Sequence, residues 1–427
     1  MENTISAIGS GLSLSKVVLF GIVAVCLLAS PFLVSVTYGS SSTSVNSKII
    51  SSNVHHQTLT SPNAQSGGDF GYSVALSRDT VVIGAPDESA SGYSQAGHAY
   101  AFNVTTHALI QTFTSPDAQD EGWFGSSVAL SGSTVVVGAY DESASGYSGA
   151  GHTYTFNAMT GKLIQTFTSP NPQSGGGFGY SVALSGTTLL VGAPDETASG
   201  YSDAGHAYTF NATTGSLIHS FTSPKAQAEG GFGSSLALTD SSLVVGASGE
   251  SVSGYSYAGH AYSFNTKTDA VIHTFTSPQA QYFGQFGSSV ALSGNTVVIG
   301  APTENASGYS FAGHAYSFNV KTGKLIYTFT SPNAQSEGYF GWSIALNSMT
   351  IVVGALSETA SGFQQAGHAY SFNAKTGKLI EIFTSPKAQE LGFFGASVAL
   401  SSTTLVVGAP GETALGYEHA GHVYIFY

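Results

Sequence analysis

One cysteine in 427 residues, Cys26, excludes a disulfide within the chain, and near-absence of cysteine neither proves nor excludes export. Charge is equally scarce. Only 8% of residues are charged, and the formal net charge of −13 makes nucleic acid an unfavourable partner. Helical periodicity is missing everywhere except near the N-terminus, so the body of the chain reads as strands and turns. Also absent is any insertion or deletion within the feature that dominates the sequence, a unit of 54 residues repeated seven times. Phe70, Phe124, Phe178, Phe232, Phe286, Phe340 and Phe394 mark it, each followed by glycine. A fixed period in this range means one supersecondary unit packed against its neighbours.

The first unit carries four strand signals. Phe70 to Ser77 alternates large and small, with Phe70, Tyr72, Val74 and Leu76 on one face. After a turn at Arg78-Asp79, Thr80 to Pro86 is β-branched on both faces, as expected of a strand buried on both sides. A Ser/Gly-rich stretch, 87–97, leads to a third strand at His98 to Phe102 and, after a turn at Asn103 to Thr106, a fourth at Leu109 to Phe113. The last unit stops at Tyr427, after its third strand. Its missing fourth strand is supplied by Gln57-Thr58-Leu59-Thr60-Ser61-Pro62, which matches Gln111-Thr112-Phe113-Thr114-Ser115-Pro116. An open solenoid would leave two raw edges. The expected fold is therefore all-β, a seven-bladed propeller of four-stranded antiparallel blades closed by the N-terminal strand and preceded by one hydrophobic helix.

Phe-Gly at the start of strand one and Gly84-Ala85-Pro86 at the end of strand two resemble the FG-GAP repeat, which builds the propeller of integrin α subunits and of many microbial surface proteins. Gly-Ala recurs in all seven copies, proline follows at Pro86, Pro194, Pro302 and Pro410, and Tyr100-x-Phe102 fits the microbial form. The resemblance covers residues 57–427 and implies an extracellular or cell-surface protein. Several integrin repeats carry an Asp-rich calcium loop between strands one and two. Here that connection is a tight turn with too few carboxylates for six to eight oxygen ligands, so neither calcium nor another cofactor is expected.

Residues 1–39 read as a signal peptide or membrane anchor, 40–54 as a Ser-rich linker and 55–427 as the propeller. Val17 to Val36 holds about twenty mostly apolar residues after Lys16, enough to span a bilayer if uncleaved. Cleavage after Gly39 is the other reading. Both place the propeller outside the cell.

Antiparallel connectivity puts the strand 2–3 and 4–1 loops on one face of the disc and the short turns on the other. Nineteen acids against Lys225 and Lys387 leave the long-loop face at −17, while the short-turn face is mildly basic. Such polarity steers cationic partners, and it also keeps a protein soluble.

Glu88 and His98 recur in every copy, and Gln65 and its equivalents accompany them. Strand three lies roughly 15 Å from the axis, so equivalent histidines sit more than about 10 Å apart, too far to share one metal. Glu88 and His98 are therefore expected to fasten the long loop to its own blade. Tyr93 and its equivalents are expected to anchor that loop as well.

Positions that differ between copies point to a binding surface. Trp123, Tyr257, Tyr282, Phe283, Phe311, Tyr339 and Phe393 are the candidate partner-binding residues, aromatic side chains amid polar ones on the long-loop face. The expected role is a non-catalytic, monomeric adhesion module for a protein or glycan ligand at the acidic face. A structural envelope component stacked through its oppositely charged faces is the alternative. An enzyme with a site at the axial mouth is a third reading, but near-identical blades offer no asymmetric catalytic constellation.

Overall fold

The computed structural model describes residues 55–427, and the expected N-terminal helix, Val17 to Val36 and Cys26 lie outside that range. Twenty-eight strands form seven four-stranded antiparallel sheets. Blade 1 is β2 (Ser73–Ser77), β3 (Thr80–Ala85), β4 (His98–Asn103) and β5 (Leu109–Thr114), and blades 2 to 6 repeat it in chain order. Blade 7 is β26 (Ser397–Leu400), β27 (Leu405–Ala409) and β28 (His422–Phe426), completed by β1 (His56–Thr60). β1 runs antiparallel to β28, with Leu59 opposite Val423 and Thr58 opposite Tyr424. The first strands of the blades touch one another in chain order, and β2 touches β26. The ring is closed as the ends of the sequence imply, with strand one innermost.

The hydrophobic core is not inside the blades but between them. Tyr100 and Phe102 of blade 1 pack with Phe70, Val81 and Ile83 against Leu59, Val406, Val423 and Ile425 of blade 7. The opposite face of blade 1 presents Val82, Ala99, Ala101 and Phe113 to Phe124, Tyr154 and Phe156 of blade 2. Alternation of large and small along strand three thus means that each blade offers a bulky face to one neighbour and a shallow one to the other. Strand two is buried throughout because it feeds both interfaces, Val81 and Ile83 one way and Val82 the other.

Two glycines per unit make this approach possible. A methyl group on Gly84 would collide with the carbonyl oxygen of Gly125, the glycine of the next Phe-Gly pair. Gly125 itself has φ +97, a left-handed conformation that glycine alone adopts without strain. Its amide donates to the Gly138 carbonyl in its own blade, and its carbonyl accepts the Ser73 hydroxyl of the preceding blade at 2.8 Å. Gly408, Gly71 and Ser397 make the same contact where the ring closes.

That left-handed glycine changes the first strand from the one expected. β2 begins at Ser73 rather than Phe70, and only in blades 4 and 6 does the strand reach back to the phenylalanine, at Phe232–Leu238 and Phe340–Leu346. Phe70, Val74 and Leu76 still share one core, but Tyr72 leaves that face for the axial mouth.

The closing strand has a measurable consequence. Leu59→Ala is expected to lower the unfolding free energy by about 2–5 kcal/mol, as for other buried leucines. A chain lacking residues 1–62 is expected to melt at a lower temperature still. Unchanged melting of the truncated protein refutes closure by this route.

Candidate functional site

The long-loop face is built on seven buried carboxylates. Glu88 is wholly buried, and both of its oxygens accept hydrogen bonds: Oε2 from the Tyr100 hydroxyl on the same blade, Oε1 from the Ser61 hydroxyl at the end of β1. Ser61 belongs to blade 7, so the carboxylate fastens one blade to the next. Ser169, Ser223 and Ser385 reach Glu196, Glu250 and Glu412 in the same way. In the other three junctions Ser115, Ser277 and Ser331 donate to the tyrosine hydroxyls instead, at 3.2–3.4 Å. Burial first, and then the charge of Glu88, pushes the Tyr100 phenol well above its usual range, which keeps it a donor.

His98 contributes differently from the expectation. Its Nδ1 lies 2.9 Å from Glu88 Oε2, a close contact that is not among the carboxylate's hydrogen bonds. The ring stacks on Tyr100, with centroids 5.5 Å apart. The expected tie between loop and blade exists, but Tyr100 and Ser61 make its hydrogen bonds. The repeated Thr-Ser-Pro motif was the signal for the serine. Gln65 is scaffold as well, its Oε1 accepting the Ser89 amide at 3.0 Å.

Because all seven of these glutamates are buried, the acids that remain to shape the surface number twelve, against Lys225 and Lys387. Eight of the twelve, from Asp69 to Asp203, lie in the loops of blades 1 to 3. Around the axial mouth, Asp69 and Asp87 hydrogen-bond through their side chains, and Gln95 Nε2 donates to Asp87 Oδ1 at 3.1 Å. Burial, then the neighbouring Asp87, raises the Asp69 carboxyl well above its ordinary range. Asp195 is pushed up to about 7 by burial and by the negative charges of Asp203 and Asp141. Trp123 meets Tyr140 edge-on at 5.2 Å, and Tyr140 meets Tyr180 at 5.3 Å, forming an aromatic row beside these carboxylates. The Tyr180 phenol is raised to about 12 by burial and by Asp195.

The other half of the face is aromatic. At the junction of blades 4 and 5, Tyr257 stacks on Phe283 with centroids 5.3 Å apart and planes 9° from parallel. Beside them Tyr255 meets Tyr282 edge-on at 5.1 Å. The Tyr257 hydroxyl donates to Glu229. Tyr282, Phe283 and Phe311 are exposed, by 59%, 54% and 37%, and Tyr257 is half-buried. The remaining candidates do not join them. Tyr339 is buried, Trp123 is half-buried against Tyr140, and Phe393 is half-buried beside Gly411.

Tyr93 and its equivalents also differ from expectation. The main chain of each forms a tight hairpin with the alanine or valine three residues earlier, yet the seven rings are 40–49% exposed. Tyr255 is one of them. It escaped the sequence reading because a residue present in every copy looks like scaffold.

The integrin-type calcium loop finds no counterpart. Arg78-Asp79 and its equivalents are tight turns, and no group of three or more His, Cys, Asp or Glu among the described residues is arranged to hold an ion.

Two consequences are testable. Glu196→Ala, which strands Tyr208, Ser169 and His206 in a buried site, is expected to cost roughly 3–5 kcal/mol in urea unfolding. Asp195 sets a pH dependence. Its folded carboxyl titrates near 7 and its unfolded one near 4, so the folded state holds the extra proton between those values. Stability therefore falls as pH rises from about 4 to 7. Asp195→Asn removes this contribution and is expected to exceed the wild type by up to about 4 kcal/mol at pH 8 while matching it at pH 4. Parallel stability–pH curves for the two proteins contradict the assignment.

Comparison with known proteins agrees with the geometry. No curated protein sequence matches the chain. Among solved structures, the crystal structure of the computationally designed Ika8 protein superposes with a TM-score of 0.50, covering 86% of this chain and 98% of that one at 15% identity. That likeness concerns the fold alone. The FG-GAP repeat matches residues 54–102, 108–156, 163–210, 275–318, 326–372 and 383–426, about two thirds of the sequence, and passes over the fourth blade. Such repeats are typical of extracellular and surface proteins, where their propellers commonly serve as binding or adhesion modules and are typically non-catalytic. The chain belongs to the FG-GAP repeat family.

Proposed function

We propose that this propeller is an exported or cell-surface binding module, without catalytic activity, that takes a protein or glycan ligand on its long-loop face. One observation carries the reading: the exposed cluster of Tyr255, Tyr257, Tyr282 and Phe283 at the junction of blades 4 and 5. Two contacting pairs of aromatic rings side by side, with Tyr282 and Phe283 more than half exposed, are a costly arrangement to leave in water. The cluster also sits where the repeat pattern breaks. Blade 4 is the blade that the family pattern passes over, and it supplies Tyr255 and Tyr257.

Support for a non-catalytic role comes from the repeated chemistry. The seven Glu–Tyr–Ser groupings are buried, and in each the serine of one blade reaches the glutamate or the tyrosine of the next. Support for display outside the cell comes from the family and from the apolar segment at Val17 to Val36, as a cleaved signal or a retained anchor.

The test is a screen of the full chain against glycan arrays and envelope protein fractions, followed by Tyr282→Ser/Phe283→Ser. A hit on this face is expected to weaken by at least tenfold, while melting stays within a few degrees because both side chains are exposed. Binding that survives the double substitution removes this cluster from the site.

A further inference from the structure

The two faces of the disc carry opposite charges, and the charges are off-centre in opposite directions. On the long-loop face, Asp69, Asp87, Asp117, Asp120, Glu121, Asp141, Asp195 and Asp203 all belong to the loops of blades 1 to 3. No lysine or arginine occurs in those loops. On the short-turn face, Lys321, Lys324, Lys375 and Lys378 occupy the strand 3–4 turns of blades 5 and 6. All four are exposed, and the short turns of those two blades contain no acid.

We infer that the long-loop face of one copy docks on the short-turn face of a second copy, head to tail, with the lysines of blades 5 and 6 over the acids of blades 1 to 3. The centres of the two patches are three and a half blades apart in a ring of seven, so the second copy is turned by about half a revolution about the common axis. In that pose, the exposed Asp117, Asp120, Glu121 and Asp203 meet the lysine turns. An interface of this kind joins two different surfaces and does not close on itself, so the product is an open stack rather than a dimer. Each contact also covers the long-loop face of one copy. Only the terminal copy then offers its aromatic cluster to a ligand, and stacking competes with the binding proposed above.

Charge–charge attraction across such an interface is strongest when little salt screens it. The Debye length is about 30 Å at 0.01 M ionic strength and about 8 Å at 0.15 M. The experiment is sedimentation velocity on the full chain at both salt concentrations, with three proteins. The first is the wild type. The second carries K321E, K324E, K375E and K378E, and the third carries D117K, D120K, E121K and D203K, which reverses every exposed acid of the patch.

The wild type is expected to sediment as a concentration-dependent series of oligomers at low salt and to dissociate at about 0.15 M. Each variant alone loses the opposite charges at the contact and is expected to remain monomeric. Mixing the two variants restores opposite charges and is expected to restore association. A wild type that stays monomeric at low salt overturns the inference. So does association that persists after the lysine reversal, which belongs to another surface, or a mixture that fails to associate. None of these outcomes depends on Tyr282 or Phe283, so failure here leaves the ligand-binding reading standing.

Discussion

The approach of one blade to the next at a pair of glycines sets everything else in this ring. Gly84 faces Gly125 with no room for a side chain, and the same contact recurs at all seven junctions, including Gly408 with Gly71 where the ring closes. At that spacing the bulky face of strand three in one blade reaches the shallow face of the blade before it, and the cores form between blades. No blade owns a complete core, which is why the array needs closure and why an N-terminal strand completes the last sheet.

Above the glycines, the buried glutamates do for the loops what the glycines do for the strands. A buried carboxylate is expensive unless its oxygens are satisfied. Here the donors come from two different blades, so satisfying Glu88 requires that blade 7 be in place. The loops of the upper face are thereby held to a rigid ring. What they display can vary without disturbing it, and the positions that vary sort into two regions. Blades 1 to 3 display carboxylates whose proton affinity is raised by burial and, for Asp69 and Asp195, by neighbouring acids, and the junction of blades 4 and 5 displays stacked aromatic rings. Neither arrangement improves the stability of the ring. The carboxylates weaken it as pH rises towards 7, and exposed rings forgo burial. Costs of that sort are common at surfaces kept for contact with something else.

Much of this was legible in the sequence because repetition acts as a ruler. The period counted the blades, the alternation within each unit supplied four strands, and the mismatch between the two ends predicted the closing strand. Charge and loop position separated an acidic face from a mildly basic one. The candidate site was only partly legible. Tyr282, Phe283 and Phe311 are exposed as expected, but Tyr339 is buried and Trp123 and Phe393 are half-buried, because whether a loop residue turns outward depends on its neighbours in space. Tyr255 was hidden by its own regularity. Ser61 was hidden by distance, since its partner Glu88 lies 27 residues away and in the next blade.

By itself the sequence determined the number of blades, their strand order and the route of closure. These follow from local alternation and from a strict period, and both act along the chain. Tertiary structure decided where the core lies, which acids are buried, and which aromatics meet. Each of these depends on contacts between units 54 residues apart in a chain whose units are nearly alike. A repeated residue can therefore be scaffold at one atom and surface at another, as Tyr93 is, and only the packing of neighbouring blades distinguishes the two.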